Sequence, residues 1–340
     1  MDKVFWENKN ILITGHSGFK GCWLALILNQ YGAKVFGISN NSNSSKLYNL
    51  HSKNYLEKEY TLDISKKCTE FENIFIENNF DVIFHLAAQS IVSEAKNNPS
   101  LTLKTNILGT FNILEMVDKY ASDSALIVST TDKVYRNSEI ENTEDDVLGG
   151  KEFYSMSKVA AENVIDTYLN SINNNLNVTV IRSGNVLGPG DNAKDRLIPD
   201  LVESLKSKKN IILRNPNSIR PWQYVLDSLF GYILAAEKSI KSSVHGKFNL
   251  NSEKNSHFKV IDIAKKMNKI WGAEVEIKIE KNKDIEDAAV LRLDSSKAKN
   301  ILGWHSDTSM DEILFTIYKW ENNLNQIELT SKKLIQDFFK

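Results

Sequence analysis

A chain of 340 residues is long enough to bury a large core, as one elaborated domain or two closely joined ones. Its 42 basic and 43 acidic side chains leave a formal net charge of −1, which gives no basic footprint for nucleic acid, and no apolar window approaches the ~20 residues that a membrane span needs. Only Cys22 and Cys68 occur, and His16, His51, His85, His245, His257 and His305 are scattered without ligand spacing, so neither a disulfide framework nor a metal site is expected. The stretch from Met1 to Glu7 lacks a signal peptide's apolar segment, so cytoplasm is the expected compartment.

In chain order, Asn10-Ile11-Leu12-Ile13-Thr14 predicts a short buried strand. Gly15-His16-Ser17-Gly18-Phe19-Lys20-Gly21 follows at once and opens an apolar helix through Trp23, Leu24, Leu26, Ile27 and Leu28. Glycines at such a turn let backbone approach a pyrophosphate, and the exposed amides of the helix N-terminus stabilise its charge. The segment therefore predicts a dinucleotide site built from Gly15, His16, Ser17, Gly18, Phe19 and Lys20, with a plain tight turn as the alternative. Lys34 to Ile38 reads as a second strand and Asp81 to Leu86 as a third. After the second strand, Ser39-Asn40-Asn41-Ser42 offers no arginine for a 2′-phosphate, which favours NAD over NADP. No acidic residue is there for the ribose either, and Asp63 is the candidate contact to adenine or else ordinary loop polarity.

Strands and helices alternate as far as Asn177 to Arg182, the pattern of a Rossmann-type, doubly wound parallel sheet covered on both faces. The glycine-rich run from Ser183 to Asp191 follows a strand end, where ligands bind in open α/β sheets, so substrate-binding residues are expected from Ser183, Gly184 and Asn185 onward. A helix at Gln223 to Lys238 and a strand at Lys247 to Leu250 read as a return to the first domain. Beyond them come a helix at Val260 to Ile270, a strand at Glu274 to Ile279, a helix at Met310 to Asn322, and a final eighteen residues of polar connector and short helix. The expected division is a cofactor domain of residues 1–183 plus about 222–250, and a smaller mixed α/β substrate region of 184–221 plus 251–340.

The chemistry is concentrated in Thr131-Asp132-Lys133 and in Phe153-Tyr154-Ser155-Met156-Ser157-Lys158. A spacing of four puts Tyr154 and Lys158 on one helix face, where a nearby ammonium favours the phenolate and makes the tyrosine a base for an alcohol proton. Such a pair arises readily by chance among eleven tyrosines and the many lysines, so its place after several βα units carries the reading. Asp132 and Lys133 read as functional groups at a strand end, or as a solvated turn. Asn106 is a polar group near the tyrosine or a helix-packing amide. Among only six arginines, Arg220 is the leading ligand for a diphosphate, with Arg196 and Arg292 behind it.

Taken together, Gly15 to Gly21, His85-Leu86-Ala87-Ala88-Gln89, Thr131-Asp132-Lys133, Tyr154 with Lys158, Asp195 to Asp200, Arg220-Pro221-Trp222-Gln223-Tyr224-Val225 and Leu302 to His305 resemble the extended short-chain dehydrogenase/reductase family over nearly the whole chain. Within it the chain is most similar to the NAD-dependent sugar-nucleotide 4,6-dehydratases that act on CDP-glucose. Lys20 stands where isoleucine is usual in related enzymes, Lys133 where glutamate is, Phe153 where proline is, Asn192 where tryptophan is and Ala289 where histidine is. The resemblance implies NAD contacts from Ile64, Leu86, Ala87, Ala88, Gln89, Asn106, Tyr154 and Lys158, and substrate contacts from Gln89, Gln223 and the three arginines. It implies an internal redox cycle yielding a 4-keto-6-deoxy sugar, as in deoxysugar supply for lipopolysaccharide O-antigen. In that cycle Tyr154 takes the 4-hydroxyl proton, Lys158 lowers its pKa, Thr131 bonds the reacting oxygen and Asp132 protonates the leaving 6-hydroxyl. Lys133 either removes the carbon 5 proton or stabilises the enolate. A homodimer is also implied, through helices at 101–120 and 154–172. An epimerase, a reductase or a non-catalytic NAD-binding module on the same fold remain the competing readings.

Overall fold

The computed structural model describes residues 1–42, 44–136, 141–280 and 292–340. Thirteen strands are found among them: β1 (Asn10–Thr14), β2 (Lys34–Ser39), β3 (Lys58–Thr61), β4 (Val82–His85), β5 (Ala125–Ser129), β6 (Glu141–Asn142), β7 (Asn177–Ser183), β8 (Asn185–Leu187), β9 (Ile211–Leu213), β10 (Trp222–Tyr224), β11 (Gly246–Leu250), β12 (Ile277–Ile279) and β13 (Arg292–Leu293). Seven of them form one sheet in the order β11-β7-β5-β4-β1-β2-β3. Every pairing in it is parallel, as expected from the near-continuous apolar runs of β1, β4, β5 and β7. The order reverses at β1, so the crevice beyond the strands' carboxyl ends opens between β1 and β4.

Apolar side chains cover both faces of this sheet. On one face, the helix Phe19–Gln30 is buried nearly all round and packs with the helix Val225–Ser242 into the larger core. On the other, Phe71, Ile74 and Phe75 join Ile113, Val117, Ile165 and Tyr168. The strand expected at 247–250 is β11, paired with β7 in the main sheet. Two-stranded pairings β8–β10 and β9–β12 build the smaller region above the carboxyl ends.

Several boundaries differ from the sequence reading. The strand at Val82–His85 is the fourth, because β3 precedes it; Lys58-Glu59-Tyr60-Thr61 has a single fully buried side chain, Tyr60, and its polar composition hides an edge strand. Trp222–Tyr224 pairs with β8 in place of starting the helix, which runs Val225–Ser242. Most of the last eighteen residues are helical: Ile327–Phe338 docks on the helix Phe19–Gln30 with Ile327, Ile335 and Phe339 buried, and the Trp320 indole donates to Ser331 Oγ at 3.2 Å. Their scattered apolar positions gather on one face only once wound as a helix. Ala289 lies outside the described residues.

Candidate active site

The turn after β1 is shaped by steric necessity. Gly15 has φ +76°, and a Cβ there would stand 2.7 Å from the Ala87 amide nitrogen; a Cβ on Gly21 would lie 2.1 Å from the Gly15 carbonyl oxygen. Gly18 caps the helix Phe19–Gln30 with no side-chain hydrogen bond, leaving its first amides for an anion. The Ser17 and Ser39 hydroxyls meet at 2.6 Å and tie the turn to the end of β2. These residues fit a dinucleotide pyrophosphate. His16 turns inward: its Nε2 is 3.1 Å from Glu59 Oε1, its ring lies against Gly37, and burial pulls its pKa below the usual value. Phe19 is buried too, its ring tip against Gly188, so both support the turn from behind.

Other expected cofactor residues divide. Leu86 and Ala87 leave β4 with their amides donating to the Thr14 carbonyl and hydroxyl oxygens, and Ala88 follows them in the same loop. Asp63 Oδ1 accepts from the Ser65 amide and hydroxyl, the pattern of a local turn, and Ile64 packs beneath Gly109. Asn106 lies in a short π-helical turn, Lys104–Leu108. Its amide accepts from the Gln89 amide at 2.8 Å and donates to the Gln89 carbonyl and Ser157 Oγ, so it pins the loop after β4 to the Tyr154 helix. The Gln89 side chain folds back on Ile91 and Thr102.

The reactive groups converge where β5 and the helix Phe153–Ser171 meet. Thr131 caps a single 3-10 turn, Asp132–Val134, that holds Asp132 and Lys133 at the strand end. Thr131 Oγ1 donates to Asp132 Oδ1 at 2.8 Å and lies in hydrogen-bonding contact with the Tyr154 phenol. Lys133 Nζ is 3.6 Å from Asp132 Oδ1, with side chains 23% and 2% exposed respectively. The second oxygen, Asp132 Oδ2, is buried with no hydrogen-bond partner. At the start of the helix, Glu152 accepts from the Tyr154 and Ser155 amides, which fixes the helix start and hence the tyrosine.

Electrostatics here differ from the expectation in one respect. Burial pushes the Tyr154 phenol up to about 12, relieved first by the Thr131 hydrogen bond and then by the charge of Arg196. Lys158, expected to lower it, instead donates to the Ser129 carbonyl at 2.9 Å. Burial and then the nearby Lys20 pull Lys158 down to about 7, against the opposing charge of Glu162. Ammonium and phenol share a helix face, but the lysine is anchored to the strand and not to the tyrosine.

On the substrate side, Arg196 reaches Asp191 Oδ2 at 3.2 Å and Ser90 Oγ at 2.8 Å, bridging the upper region to the loop after β4. Arg220 is buried and donates to the Ile219 carbonyl. Gly184 has no room for a Cβ, which would meet Pro221 Cγ at 2.4 Å, so the chain after β7 lies hard against the Arg220 segment. Asn185 opens β8, opposite Trp222, and Ser183 Oγ is 3.3 Å from the Tyr232 hydroxyl. Gln223 is fully buried with neither amide atom hydrogen-bonded. Arg292 lies exposed on β13, opposite Glu141 of β6.

Sequence reasoning missed Ser129, Tyr232 and Glu162. Glu162 Oε2 accepts from Arg182 Nη2 at 2.5 Å, with both side chains at or below 1% exposure, and its Oε1 accepts from Thr130. Its place one helical turn beyond Lys158, with an arginine inside an apolar strand, was the available signal. No group of three or more potential metal ligands and no helix suited to crossing a membrane occurs among the described residues.

Residues 12–317 match the family model described as GDP-mannose 4,6 dehydratase. The chain belongs to that family. Within these extended short-chain dehydrogenase/reductases it is 35% identical to a CDP-glucose 4,6-dehydratase of Salmonella typhimurium, with 99% of this chain and 98% of that protein aligned. Among solved structures, a UDP-glucose 4-epimerase of Thermotoga maritima with UDP-glucose superposes at a TM-score of 0.81 and 26% identity, covering 91% of this chain and 97% of that one. The epimerase Mth375 of Methanothermobacter thermautotrophicus superposes at 0.86 with 23% identity, covering 98% and 97%, and shows the shared fold. This dehydratase-family chain therefore shares one scaffold with epimerases, and its chemistry has to be read from the residues at the strand ends.

Proposed function

We propose that this chain is a CDP-glucose 4,6-dehydratase, converting CDP-D-glucose to CDP-4-dehydro-6-deoxy-D-glucose and water. The observation that carries the reading is the buried Asp132 carboxylate, one oxygen unpartnered, beside Lys133 and within reach of Tyr154 through Thr131. An epimerase has no leaving group to protonate, whereas a dehydratase needs an acid for one, and full-length similarity to a CDP-glucose dehydratase supports the same choice.

Gly15, Ser17, Gly18 and the first amides of the helix Phe19–Gln30 would hold NAD, which would supply a reversible hydride acceptor and leave only a proton to be returned to carbon 5 by the protein. The protein's part begins with Tyr154, which takes the 4-hydroxyl proton as the alcohol becomes a ketone. That ketone acidifies carbon 5. Lys133 is placed either to take the carbon 5 proton as a neutral amine or, as a cation, to stabilise the enolate, while Asp132 in its protonated form delivers the proton with which the 6-hydroxyl leaves as water. Arg220 is the proposed diphosphate ligand, supported by its burial beside the turn after β7. Ser183, Gly184, Asn185, Gln223 and Arg196 complete the proposed substrate side.

The expected division into a cofactor domain and a substrate region is proposed on the same grounds, the seven-stranded sheet serving as the first and the β8–β10 and β9–β12 pairings as the second. A homodimer is proposed through the helices spanning 99–120 and 153–171. Leu101, Leu108 and Phe153 are exposed there, although Leu114, Val117, Ile165 and Tyr168 face this chain's own core. Residence in the cytoplasm and a role in supplying deoxysugars for a surface polysaccharide complete the proposal.

Incubation of the protein with CDP-glucose and NAD, followed by mass measurement of the sugar nucleotide, tests the function. The expected product is lighter by one water with no net NAD consumed. An isomer of unchanged mass would establish an epimerase instead, and faster conversion of UDP- or dTDP-glucose would reassign the base.

A further inference from the structure

The glycine turn contains one side chain whose surroundings are at odds with phosphate binding. Lys20 belongs to the first turn of the helix Phe19–Gln30, where a lysine would be placed to meet a dinucleotide's phosphates, yet its ammonium is directed to the sheet. It donates to Ser129 Oγ at 2.9 Å and to the Tyr232 hydroxyl at 3.0 Å, and it lies 5.1 Å from the centroid of the Tyr232 ring. Those two hydroxyls are themselves 2.8 Å apart, so three groups from three elements close a triangle. Ser129 is the residue whose carbonyl anchors Lys158. Two ammonium groups are thus held on the main chain and the side chain of one serine at the end of β5.

We propose that Lys20 is a positioning residue which acts through Ser129 on Lys158, fixing that ammonium and setting the pH range in which the Tyr154–Lys158 pair works. The inference rests on the reading of Tyr154 and Lys158 as the reacting pair. A neighbouring positive charge disfavours the ammonium form of Lys158. Lys20 is the leading neighbouring charge that lowers Lys158, and Glu162, from the same helix as Lys158, is the one that opposes it. The remaining groups facing the pair are accounted for. His85 on β4 is held neutral by burial, with its pKa near 3, and bonds Thr14 and Thr110. Arg182 on β7 is neutralised against Glu162, and Asp132 and Lys133 lie on the Tyr154 side. Tyr232, from the helix Val225–Ser242, meets Lys158 only through Ser129.

Side-chain NMR of lysines in the full-length protein, with the Lys158 signal identified by its loss in Lys158→Met, tests the proposal. Lys20→Met should raise the Lys158 midpoint by about one pH unit, Lys20→Arg should leave it near wild type, and the affinity for NAD should change by less than about threefold in either. The pH dependence of hydride transfer should move with the midpoint. An unmoved midpoint in Lys20→Met would overturn the proposal, and if NAD affinity fell tenfold or more in the same variant, Lys20 would be a phosphate ligand. Should Lys20→Met fail to fold, Tyr232→Phe frees the ammonium from one of its two acceptors; it should shift the midpoint upward, and no shift in the folded variant counts against the proposal. These titrations need no sugar nucleotide, so they stand or fall apart from the proposed dehydration.

Discussion

Replacing Thr131 with Val tests the centre of the proposed mechanism, because that hydroxyl carries one proton and has two claimants for it. In the structure it donates to Asp132 Oδ1 at 2.8 Å, while its oxygen lies in contact with the Tyr154 phenol. When Tyr154 ionises, the same proton is best used toward the phenolate, and Asp132 Oδ1 loses that donor. Thr131 therefore links a tyrosine that must lose its proton to an aspartate that must carry one. Val keeps the shape and removes the link. A hydrogen bond to a charged group contributes about 1.5–3 kcal/mol, and one pKa unit corresponds to about 1.36 kcal/mol, so the Tyr154 pKa should rise by roughly one to two units. Burial already holds that phenol up at about 12. Its ionised fraction near neutrality lies on the rising limb of the titration, where each unit upward costs tenfold. Single-turnover formation of NADH from CDP-glucose should then slow by about ten- to a hundredfold at neutral pH, and because both phenols titrate far above the assay range the deficit should keep the same size from one pH to the next. A deficit well below tenfold, or wild-type rates throughout, would refute the coupling.

Three further outcomes are expected. In Lys133→Met, if the lysine is the base, deuterium exchange at carbon 5 should stop while hydride transfer continues, so NADH absorbance accumulates with substrate bound; undiminished exchange would remove Lys133 from that role. Arg220→Ala should weaken CDP-, UDP- and dTDP-glucose binding alike, by a few kcal/mol if the contact is bidentate to the diphosphate, as read by calorimetry; a loss confined to the cytidine compound would place the arginine against the base. Arg182→Met leaves Glu162 as a buried charge with its main partner gone, and urea unfolding should show about 3–5 kcal/mol of lost stability, whereas a loss below about 1 kcal/mol would mean that Lys247, 3.7 Å from Glu162, takes over the pairing.

How much of this was legible beforehand depended on whether a residue's role is fixed by its neighbours in the chain or by its neighbours in space. The glycine turn was legible because the need for φ +76° at Gly15 and for no side chain at Gly21 is written as glycine. Thr131, Asp132 and Lys133 were legible because they follow an apolar run directly, and a strand's carboxyl end is where this architecture places its ligands. For Lys20 and Gln89 the place in the chain was legible and the side-chain partners were not. Sequence locates a Cα in such a motif, but the partners that turn these side chains inward come from residues as distant as Tyr232 and as near as Ile91. Asn106 shows the same limit, its amide being claimed by Gln89 and Ser157.

The charges behind the catalytic helix explain why the Tyr-x-x-x-Lys spacing says so little by itself. Arg182, Glu162, Lys158 and Lys20 stand on β7, on the Phe153–Ser171 helix and on the Phe19–Gln30 helix, joined through Thr130, Ser129 and Tyr232. Glu162 raises Lys158 and Lys20 lowers it, while burial outweighs both. An isolated helix carrying the same two residues would supply none of these influences, and its lysine would ionise as in water. The working protonation state is therefore a property of how β5, β7 and two helices close around one another. On that reasoning a substitution that loosens the packing of the Val225–Ser242 helix, far along the chain from Tyr154, should shift the pH dependence of hydride transfer, because the Tyr232 hydroxyl bonds both Lys20 and Ser129, whose carbonyl holds Lys158.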